Sequence, residues 1–332
     1  MRGLLPRGPA GAAAAAVLAA ALLLGFLLPA DPLQRVHASG VVIVSGASTG
    51  IGRDAAVRLA RRHAGLVVLA GVRRDADAAG VRGEGLPNLR PVLLDVTQAD
   101  SVAEALRAAV RVGLPLVAVV NNAGVARGPT PVELHGLEDA RALFEANFFG
   151  ALRLTQAALP LLRASRGRVV VVSSIFGGFT PPQGGVYSAS KRALEAVADA
   201  LRMEASGLGV SVSIVSPGAV ATPIFATLRS ASIAAARAAG PEGSAAMRVY
   251  GHLNTAEDAA NERRMEELAA STECTSDAIE HAVTAPRPRS RYLVANIVGA
   301  PAWLLTLVVR ALPDRLADAL LLGPAIDRRG GG

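Results

Sequence analysis

Cysteine and histidine are scarce in the 332 residues, and this scarcity excludes two kinds of stabilising site. The single cysteine, Cys274, cannot form a disulfide within the chain, and the five histidines are widely separated. Neither a C-x-x-C motif nor a cluster with metal-ligand spacing occurs. We therefore expect no disulfide framework and no metal site.

Aromatic residues are also rare, at 3% of the chain, and charged residues make up only 18%. The net charge is +7, but no basic run exceeds a pair such as Arg61–Arg62 or Arg73–Arg74. Proteins that bind nucleic acids usually carry a basic stripe with interleaved aromatics, so we expect no nucleic-acid partner. A hydrophobic content of 51% excludes a disordered or collagen-like chain and is enough for a large core.

Charge is missing altogether from one stretch near the N-terminus. The 23 residues between Arg7 and Asp31 are all uncharged. As a helix they would span roughly 35 Å, enough to cross a hydrocarbon core of roughly 30 Å. A cleaved signal peptide would have a shorter apolar core, and a transit peptide would be amphipathic and rich in Ser and Arg. Both alternatives stay open, but the length favours an uncleaved signal anchor, a transmembrane helix within residues 1–37.

From residue 40 onwards, strand-like and helix-like patterns alternate. Short apolar or β-branched runs predict strands over residues 41–44, 66–70, 91–94, 116–120, 168–172, 210–215 and 291–295. Helical periodicity predicts helices over residues 51–63, 101–112, 137–162 and 187–206. Repeated βαβ units predict an α/β fold of the Rossmann type, with a doubly wound parallel sheet. We expect one domain over residues 38–325, with a lobe at 223–290, followed by a disordered tail at 326–332.

The first predicted strand runs into a glycine-rich turn. Gly46, Gly50 and Gly52 have the spacing G-x-x-x-G-x-G between a strand and a helix. Missing side chains let the backbone approach a pyrophosphate, and the helix N-terminus offers free N–H groups. An ordinary tight turn is the plainer interpretation. The same residues match G-x-S-x-G of hydrolases through Ser48, but no strand precedes this one to carry an oxyanion loop.

A tyrosine and a lysine four residues apart form the second candidate site. Tyr187 and Lys191 share one face of a predicted helix. A lysine ammonium beside a phenol favours the phenolate and lowers a pKa of about 10. The pair could exchange protons near neutral pH, although a surface tyrosine beside a solvated lysine is the plainer interpretation. Ser188 and Lys191 also match an S-x-x-K pattern, but the motifs that accompany it in penicillin-binding proteins are missing.

Taken together, the motifs resemble the short-chain dehydrogenase/reductase family. SGASTGIG, NNAG, NFFG, VVSS, YSASK and SPGAVAT occur in the family's order over about residues 41–222. Two segments, NFFGALRLTQAALPLL and SPGAVATPIF, are similar in sequence to the subgroup that contains hydroxysteroid and retinol dehydrogenases. The resemblance implies an NAD(P)(H)-dependent oxidoreductase that interconverts a hydroxyl and a carbonyl group by hydride transfer.

The resemblance also implies a catalytic tetrad. Tyr187 would be the general acid/base, and Lys191 would hold the ribose hydroxyls and lower the tyrosine's pKa. Ser174 would hydrogen-bond the substrate oxygen. Asn147 would hold a water that links the lysine to solvent. A nucleotide-binding sensor or scaffold without catalysis is the alternative on the same fold, but such proteins commonly lack the tyrosine or the lysine.

The cofactor would lie along the carboxyl edge of the sheet. The residues implied to contact it are Gly46, Ser48, Thr49, Gly50, Ile51, Gly52, Arg73, Asp95, Val96, Asn122, Ala123, Gly124, Tyr187, Lys191, Pro217, Gly218, Val220 and Thr222. An acid at the tip of the second strand would bind the free ribose of NAD, whereas an arginine accepts the 2′-phosphate of NADP. Arg73 stands there and Asp75 comes later, so we expect NADP to be preferred over NAD.

The substrate is expected to be a lipophilic small molecule, because apolar residues surround the expected carbonyl position. With Ser174 and Tyr187, the candidate contacts are Phe176, Phe179, Val186 and Phe225. A steroid, a retinoid or a long-chain lipid would suit this lining. The apolar stretch 296–309 is expected to pack over the pocket or to lie on a membrane. The resemblance also implies a homodimer as a candidate assembly.

The charges around the N-terminal apolar segment bear on its orientation. Arg2 and Arg7 precede the segment, whereas Asp31 and Arg35 nearly cancel after it. The positive-inside rule therefore favours a cytosolic N-terminus. We expect a single-pass protein of the endoplasmic reticulum membrane with its folded domain in the lumen.

Overall fold

A parallel sheet of seven strands forms the centre of the molecule. The computed structural model describes residues 34–126, 128–222, 249–250, 267–297 and 300–322. The strands are β1 (Gly40–Val44), β2 (Leu66–Val72), β3 (Leu89–Leu93), β4 (Leu116–Asn121), β5 (Arg168–Val172), β6 (Ser211–Pro217) and β7 (Arg291–Val294). Their order across the sheet is β3-β2-β1-β4-β5-β6-β7, and every neighbouring pair is parallel. All seven predicted strands and the Rossmann-type α/β fold are confirmed.

Helices cover both faces of this sheet. They are α1 (Gly50–Arg62), α2 (Asp75–Arg82), α3 (Ala99–Arg111), α4 (Leu137–Phe144), α5 (Gly150–Ser165), α6 (Gly185–Ser206), α7 (Glu273–Thr284), α8 (Ala302–Ala311) and α9 (Asp314–Leu322). Helices α1, α2 and α7 contribute to the core on one face, and α3, α5 and α6 contribute to the core on the other. The sheet is therefore doubly wound, as the alternating pattern predicts.

Strand β1 shows why the central strands are continuous apolar runs in the sequence. Val41 and Ile43 point into one core layer, while Val42 and Val44 point into the other. All four side chains are fully buried. Burying one such side chain contributes roughly 1.5–3 kcal/mol, so both faces of this strand stabilise the fold.

The predicted helix over residues 137–162 is wrong in one respect, because the structure divides it. Helix α4 ends at Phe144, a π-helical turn spans Glu145–Phe149, and α5 continues from Gly150. The apolar period stays close to 3.6 across the junction, so the sequence gives no sign of the turn. Helix α2 is also missing from the prediction, because it spans only eight residues, too few to show a clear helical period.

The C-terminal part of the chain packs beside the loop that follows β5. The predicted apolar stretch 296–309 divides into two short strands, β8 (Asn296–Ile297) and β9 (Ala300–Pro301), and most of α8. Ala302 and Val309 of α8 are buried against Ile175 and Phe179. The opposite face of α8 exposes Trp303 and Leu307.

The structure bears only in part on the N-terminal anchor. Residues 1–33, which contain almost all of the predicted anchor, lie outside the described residues, and residues 34–37 are not helical. The structure thus shows no apolar anchor helix, and no helix in the described ranges is both long and apolar enough to cross a bilayer. Most of the predicted lobe (223–248 and 251–266) and the tail at 326–332 also lie outside the described residues.

Candidate active site

The strand order reverses between β1 and β4, and the glycine-rich turn lies at this point. In sheets of this kind ligands bind in the crevice beyond the carboxyl ends of the strands. Gly46 has a φ of 66°, and a Cβ atom there would lie 2.8 Å from Cα of Ala123. A Cβ atom on Gly52 would lie 2.3 Å from Nδ2 of Asn122 and 2.4 Å from the Gly46 carbonyl oxygen. Glycine is therefore required here for the turn to pack against the loop after β4.

Ser45 joins the glycine-rich turn to the loop after β4. Its hydroxyl donates to the Val120 carbonyl at 3.2 Å and accepts from the backbone N–H groups of Asn122 and Ala123, both at 3.0 Å. The Asn122 amide donates in return to the carbonyls of Ser45 and Gly46. The two segments predicted to bind the cofactor are thus joined into one hydrogen-bonded unit. The sequence prediction missed Ser45, whose only sign was a small polar residue at the end of a buried strand.

The N-terminus of α1 fits a phosphate group. Thr49 precedes the helix, and its side chain forms no capping hydrogen bond. The first turn, which begins with Gly50, Ile51 and Gly52, contains no acidic residue. The first N–H groups of a helix have no partner within it, and the positive end of the helix dipole favours an anion. With Ser48 in the turn just before, this arrangement suits the pyrophosphate of a dinucleotide.

Two arginines follow β2, and only one of them is paired. Arg74 donates two hydrogen bonds of 2.9 Å to Asp77 and thereby lowers the pKa of that carboxyl group. Arg73 is exposed, and among the described residues no carboxylate forms a salt bridge with it. Asp75 is exposed at the start of α2. The guanidinium of Arg73 therefore lies just after β2, at the predicted ribose-binding position, without a salt bridge among the described residues.

The loop after β3 is held by two sets of hydrogen bonds. The Asp95 carboxylate accepts from the backbone N–H of Thr97 at 2.9 Å and from its hydroxyl at 2.8 Å. Val96 is buried, and its carbonyl accepts from Arg153 of α5 at 2.5 Å. The predicted cofactor contacts Asp95 and Val96 both lie in this hydrogen-bonded loop.

The segment after β6 is tied to its neighbours on the sheet edge. Pro217 is the buried last residue of β6, and the Gly218 N–H donates to the Val294 carbonyl at 2.9 Å. Val220 is buried and pairs with Ala270 in a short bridge. Thr222 is the last residue described before the gap that begins at 223.

Three of the four predicted catalytic residues meet where β5 ends and α6 begins. The Ser174 hydroxyl hydrogen-bonds the Tyr187 phenol and also accepts from the Phe176 N–H at 3.2 Å. One turn further along α6, the Lys191 ammonium donates to the Val172 carbonyl at 3.2 Å. This ammonium lies 5.9 Å from the centroid of the Tyr187 ring.

The fourth residue, Asn147, sits in the π-helical turn and is fully buried. Its side-chain oxygen accepts from the Val125 N–H at 2.7 Å, and its amide nitrogen donates to the Val125 carbonyl at 2.9 Å and to Ser190 at 3.2 Å. A Cβ atom on Gly124 would lie 3.1 Å from the Asn147 oxygen and 3.5 Å from the Lys191 nitrogen. Asn147 and Lys191 thus flank Gly124, where a side chain would crowd them. Turns of the π type are frequent at functional sites.

The pKa values at the site differ from the sequence expectation. Desolvation raises the pKa of Tyr187 to about 12, and the hydrogen bond from Ser174 only partly opposes this effect. Burial lowers the pKa of Lys191 to about 8, while the charge of Glu195 acts in the opposite direction. The protein alone therefore does not show the expected lowering of the tyrosine's pKa, because desolvation outweighs the hydrogen bond from Ser174.

The aromatic residues beside Tyr187 form a short edge-to-face row. The Phe176 ring centroid lies 6.4 Å from that of Tyr187 and 5.5 Å from that of Phe179. Phe179 is buried among the residues that hold α8, whereas Phe176 and Val186 are partly exposed. Phe225 lies outside the described residues.

Ser190 is a further member of the site that the sequence prediction missed. Its hydroxyl donates to the Tyr187 carbonyl at 2.7 Å while accepting from Asn147. It therefore connects the π-helical turn to the catalytic helix. The only sign in the sequence was its place within YSASK.

Within the described ranges, no group of three or more His, Cys, Asp or Glu side chains is arranged to hold a metal ion.

Comparison with known proteins agrees with this geometry. The family model described as short chain dehydrogenase matches residues 40–232. The chain is 35% identical to retinol dehydrogenase 5 of Mus musculus over 90% of its own length and 95% of that protein's. It is also 35% identical to 17-beta-hydroxysteroid dehydrogenase type 6 of Rattus norvegicus, over 87% and 88% of the two chains.

A solved structure extends the comparison to the fold. A short chain dehydrogenase from Burkholderia cenocepacia, in complex with NADP, matches with a TM-score of 0.61 and 27% identity. The match covers 86% of this chain and 99% of that one. The glycine-rich turn, the unpartnered start of α1 and the assembled Ser174, Tyr187 and Lys191 are what such an enzyme needs. The chain belongs to the short-chain dehydrogenase family and is an NAD(P)-dependent oxidoreductase.

Proposed function

We propose that this oxidoreductase interconverts a hydroxyl and a carbonyl group on a lipophilic substrate, with Tyr187 as the general acid/base. The observation that carries the proposal is the contact of Ser174 with Tyr187, one helical turn from Lys191. These groups lie at the carboxyl edge of the sheet, where the glycine-rich turn and α1 can hold a dinucleotide. The presence of the complete tetrad, with Asn147, supports catalysis over a sensor or scaffold role.

The cofactor is held by backbone groups and a few side chains. The glycine-rich turn and the start of α1 would hold its pyrophosphate, and the loops after β3 and β4 would hold its adenosine half. Lys191 would contact the ribose next to the nicotinamide, and the segment 217–222 would lie beside the ring. When bound, the nicotinamide supplies hydride for reduction or accepts it during oxidation.

The protein's own groups manage the proton and the charge on the substrate oxygen. With a pKa of about 12, Tyr187 is a protonated phenol at neutral pH and can donate its proton to the oxygen of a carbonyl substrate. Ser174 is held by the Phe176 N–H, so its hydroxyl is oriented before the charge develops on that oxygen. In the oxidation direction Tyr187 takes the proton back, and the Lys191 ammonium stabilises the phenolate.

NADP is the preferred cofactor in this proposal. Arg73 is exposed next to β2, and the neighbouring Arg74 is occupied by Asp77. A guanidinium binds a phosphate through two parallel hydrogen bonds, so Arg73 can accept the 2′-phosphate. The Burkholderia structure named above was solved with NADP, which supports this choice.

Steroids, retinoids and long-chain lipids are the proposed substrates. The partly exposed Phe176 and Val186 offer an apolar surface beside the catalytic phenol. The names of two similar proteins, a retinol dehydrogenase and a hydroxysteroid dehydrogenase, support the same class. Phe225, from the lobe at 223–290, is proposed as a further contact.

The N-terminal apolar segment is proposed to anchor the enzyme in a membrane. Its 23 uncharged residues are long enough for one span, and we place the protein in the endoplasmic reticulum with the catalytic domain, residues 38–325, in the lumen. A membrane location brings the enzyme close to lipophilic substrates. A homodimer is the proposed assembly.

Replacing Tyr187 by phenylalanine tests the mechanism. Tyr187→Phe removes the exchangeable proton but leaves the ring and most cofactor contacts, so we expect kcat to fall roughly 10²–10⁴-fold. The Kd for NADPH, measured by fluorescence titration, should stay close to the wild-type value. The matched control is Tyr292→Phe, which removes a phenolic hydroxyl that contacts His281 and is expected to keep wild-type kcat. Wild-type turnover in Tyr187→Phe would refute the mechanism.

A substrate panel tests the proposed substrate class. We expect a higher kcat/KM for steroid, retinoid and long-chain ketones or aldehydes than for sugars and short polar carbonyls, because Phe176 and Val186 offer no polar partner. The assay follows NADPH or NADH consumption by the purified full-length enzyme in detergent. A clear preference for polar substrates would overturn the lipophilic assignment.

A further inference from the structure

Lys191 is the only lysine among the 332 residues, and all the other basic positions of the Lys/Arg class are arginine. It is buried at 5% exposure beside Tyr187. A buried ammonium loses its hydration, which favours the neutral amine unless an opposite charge lies nearby. The proposed role of Lys191 requires the charged form, so the source of its counter-charge matters.

Glu195 lies one helical turn after Lys191 and is nearly as buried, at 9% exposure. Its carboxylate accepts a hydrogen bond from Ser216 at 3.1 Å and one from Arg291 at 2.7 Å. Residues four apart on a helix are neighbours on its surface. The carboxylate is therefore held in position one helical turn from Lys191.

The strand register places the two side chains over the same part of the sheet. Lys191 donates to the carbonyl of Val172 on β5, and Val172 pairs with Val215 on β6. Ser216, which binds Glu195, is the next residue of β6. Both charged groups of α6 thus reach neighbouring positions on adjacent strands.

The active-site loop leaves room for this carboxylate. Gly177 belongs to the turn that follows Ser174, and a Cβ atom there would lie 2.5 Å from Oε1 of Glu195. A side chain at this position would displace the carboxylate. The same backbone segment therefore positions the catalytic serine and makes space for Glu195.

We propose that Glu195 is a positioning residue whose fixed carboxylate keeps the Lys191 ammonium charged at neutral pH. Through Lys191 it maintains the positive charge beside the Tyr187 phenol. The inference rests on the proposed role of Tyr187 and adds to the site a residue one helical turn beyond Lys191.

The charges around the pair agree with this role. On α6, Tyr187 and Glu195 flank Lys191, and Asp199 lies one turn beyond Glu195. From β7, Arg291 bonds both Glu195 and Asp199. The charge of Glu195 raises the pKa of Lys191, against a larger lowering by burial to about 8. Neutralising Glu195 should therefore let the ammonium lose its proton at a lower pH.

The single lysine allows a direct measurement. Full-length enzyme is prepared in detergent, without any tag that contains lysine, and is labelled with lysine that carries ¹³C at Cε. The NMR spectrum then shows one lysine signal, whose titration can be followed. Wild type should titrate near pH 8, and Glu195→Gln should titrate roughly one pH unit lower. Asp199→Asn is the matched control, since it removes the other carboxylate bound to Arg291, and its titration should match wild type.

One further variant and an activity profile complete the test. Arg291→Gln removes the cation paired with Glu195, so the pH at which Lys191 titrates should rise. If Glu195→Gln does not fold, the titration of Arg291→Gln tests the inference in its place. In the reduction of all-trans-retinal by NADPH, the alkaline limb of kcat/KM should move to lower pH in Glu195→Gln. An unmoved Lys191 titration in Glu195→Gln, or in Arg291→Gln, overturns the inference. An active Tyr187→Phe variant would instead overturn the proposed mechanism, whatever the titrations show.

Discussion

At the residue scale, Arg73 is the side chain that we propose to set the choice between the two cofactors. It stands at the end of β2 with its guanidinium unpaired among the described side chains, while its neighbour Arg74 binds Asp77. A hydrogen bond to a charged group is worth roughly 1.5–3 kcal/mol, or about 10- to 100-fold in affinity. One side chain would therefore be enough to set the proposed preference for NADP.

Reversing the charge at residue 73 should reverse this preference. Arg73→Asp replaces attraction for the 2′-phosphate by repulsion, so we expect the ratio of Kd for NADPH to Kd for NADH to rise roughly 100-fold. Arg74→Asp introduces the same charge at the adjacent position, where we expect a much smaller change. Titration of both cofactors against the three proteins gives the ratios. If the wild-type enzyme already binds NADH more tightly, Asp75 or another group reads the ribose.

Tyr187 shows what a prediction from residue spacing alone omits. The spacing of Tyr187 and Lys191 correctly predicts two side chains on one helix face, and the structure adds the contact with Ser174. In the protein alone the pKa of Tyr187 is raised rather than lowered, because spacing reports the neighbouring charge but not the desolvation of the phenol. Burial depends on the whole fold, which no local pattern contains.

At the scale of elements, the turn between β1 and α1 and the loop after β4 act as one unit. Gly52 packs against Asn122 and the Gly46 carbonyl so closely that a methyl group would force the two segments apart. The hydrogen bonds of Ser45 and Asn122 would lengthen with them. We therefore expect stability and cofactor binding to be coupled through the same backbone.

Adding one carbon at Gly52 should damage both properties. We expect Gly52→Ala to lower the free energy of unfolding by roughly 1–3 kcal/mol, as overpacking does, and to weaken cofactor binding. Gly207→Ala is the matched control, because a Cβ atom there meets nothing within 4 Å and φ is −69°. Denaturant unfolding and cofactor titration measure the two effects. A Gly52→Ala protein as stable and as tightly bound as Gly207→Ala would contradict the coupling.

The elements also show how far the sequence predicts the fold. Apolar runs such as residues 41–44 identify the strands, because both faces of a parallel strand are buried. The π-helical turn at Glu145–Phe149 could not be predicted, since its insertion leaves the apolar pattern nearly helical. The bonds of Ser45 join residues more than 70 positions apart, so only the assembled sheet reveals them.

At the scale of the whole molecule, the connection to the N-terminal segment lies at the edge of the sheet opposite the active site. The Gln34 N–H donates to the Pro286 carbonyl at 2.8 Å. Arg168, at the start of β5, is 2% exposed and donates to the carbonyls of Arg35 and Ala282, both at 3.0 Å. Burial lowers the pKa of this arginine to about 10. The connector 34–37 is therefore attached to the folded domain by hydrogen bonds.

Two truncations separate the role of the connector from that of the proposed anchor. Proteins lacking residues 1–33 or residues 1–37 both lose the apolar segment, so we expect both to leave the membrane pellet and remain in the supernatant after carbonate washing. Only the protein that lacks residues 1–37 also loses the Arg35 carbonyl, one of the two that Arg168 binds. An unsatisfied buried donor costs about 1–3 kcal/mol, so its Tm should be several degrees lower.

The two measurements can fail independently. A protein without residues 1–33 that still sediments with membranes would show that another surface, such as the exposed face of α8 with Trp303 and Leu307, holds the enzyme there. Equal Tm values for the two truncated proteins would show that the bonds of Arg35 add no stability. Both proteins should bind NADPH with the same Kd, because the connector meets the sheet at its amino edge and the cofactor site lies at its carboxyl edge.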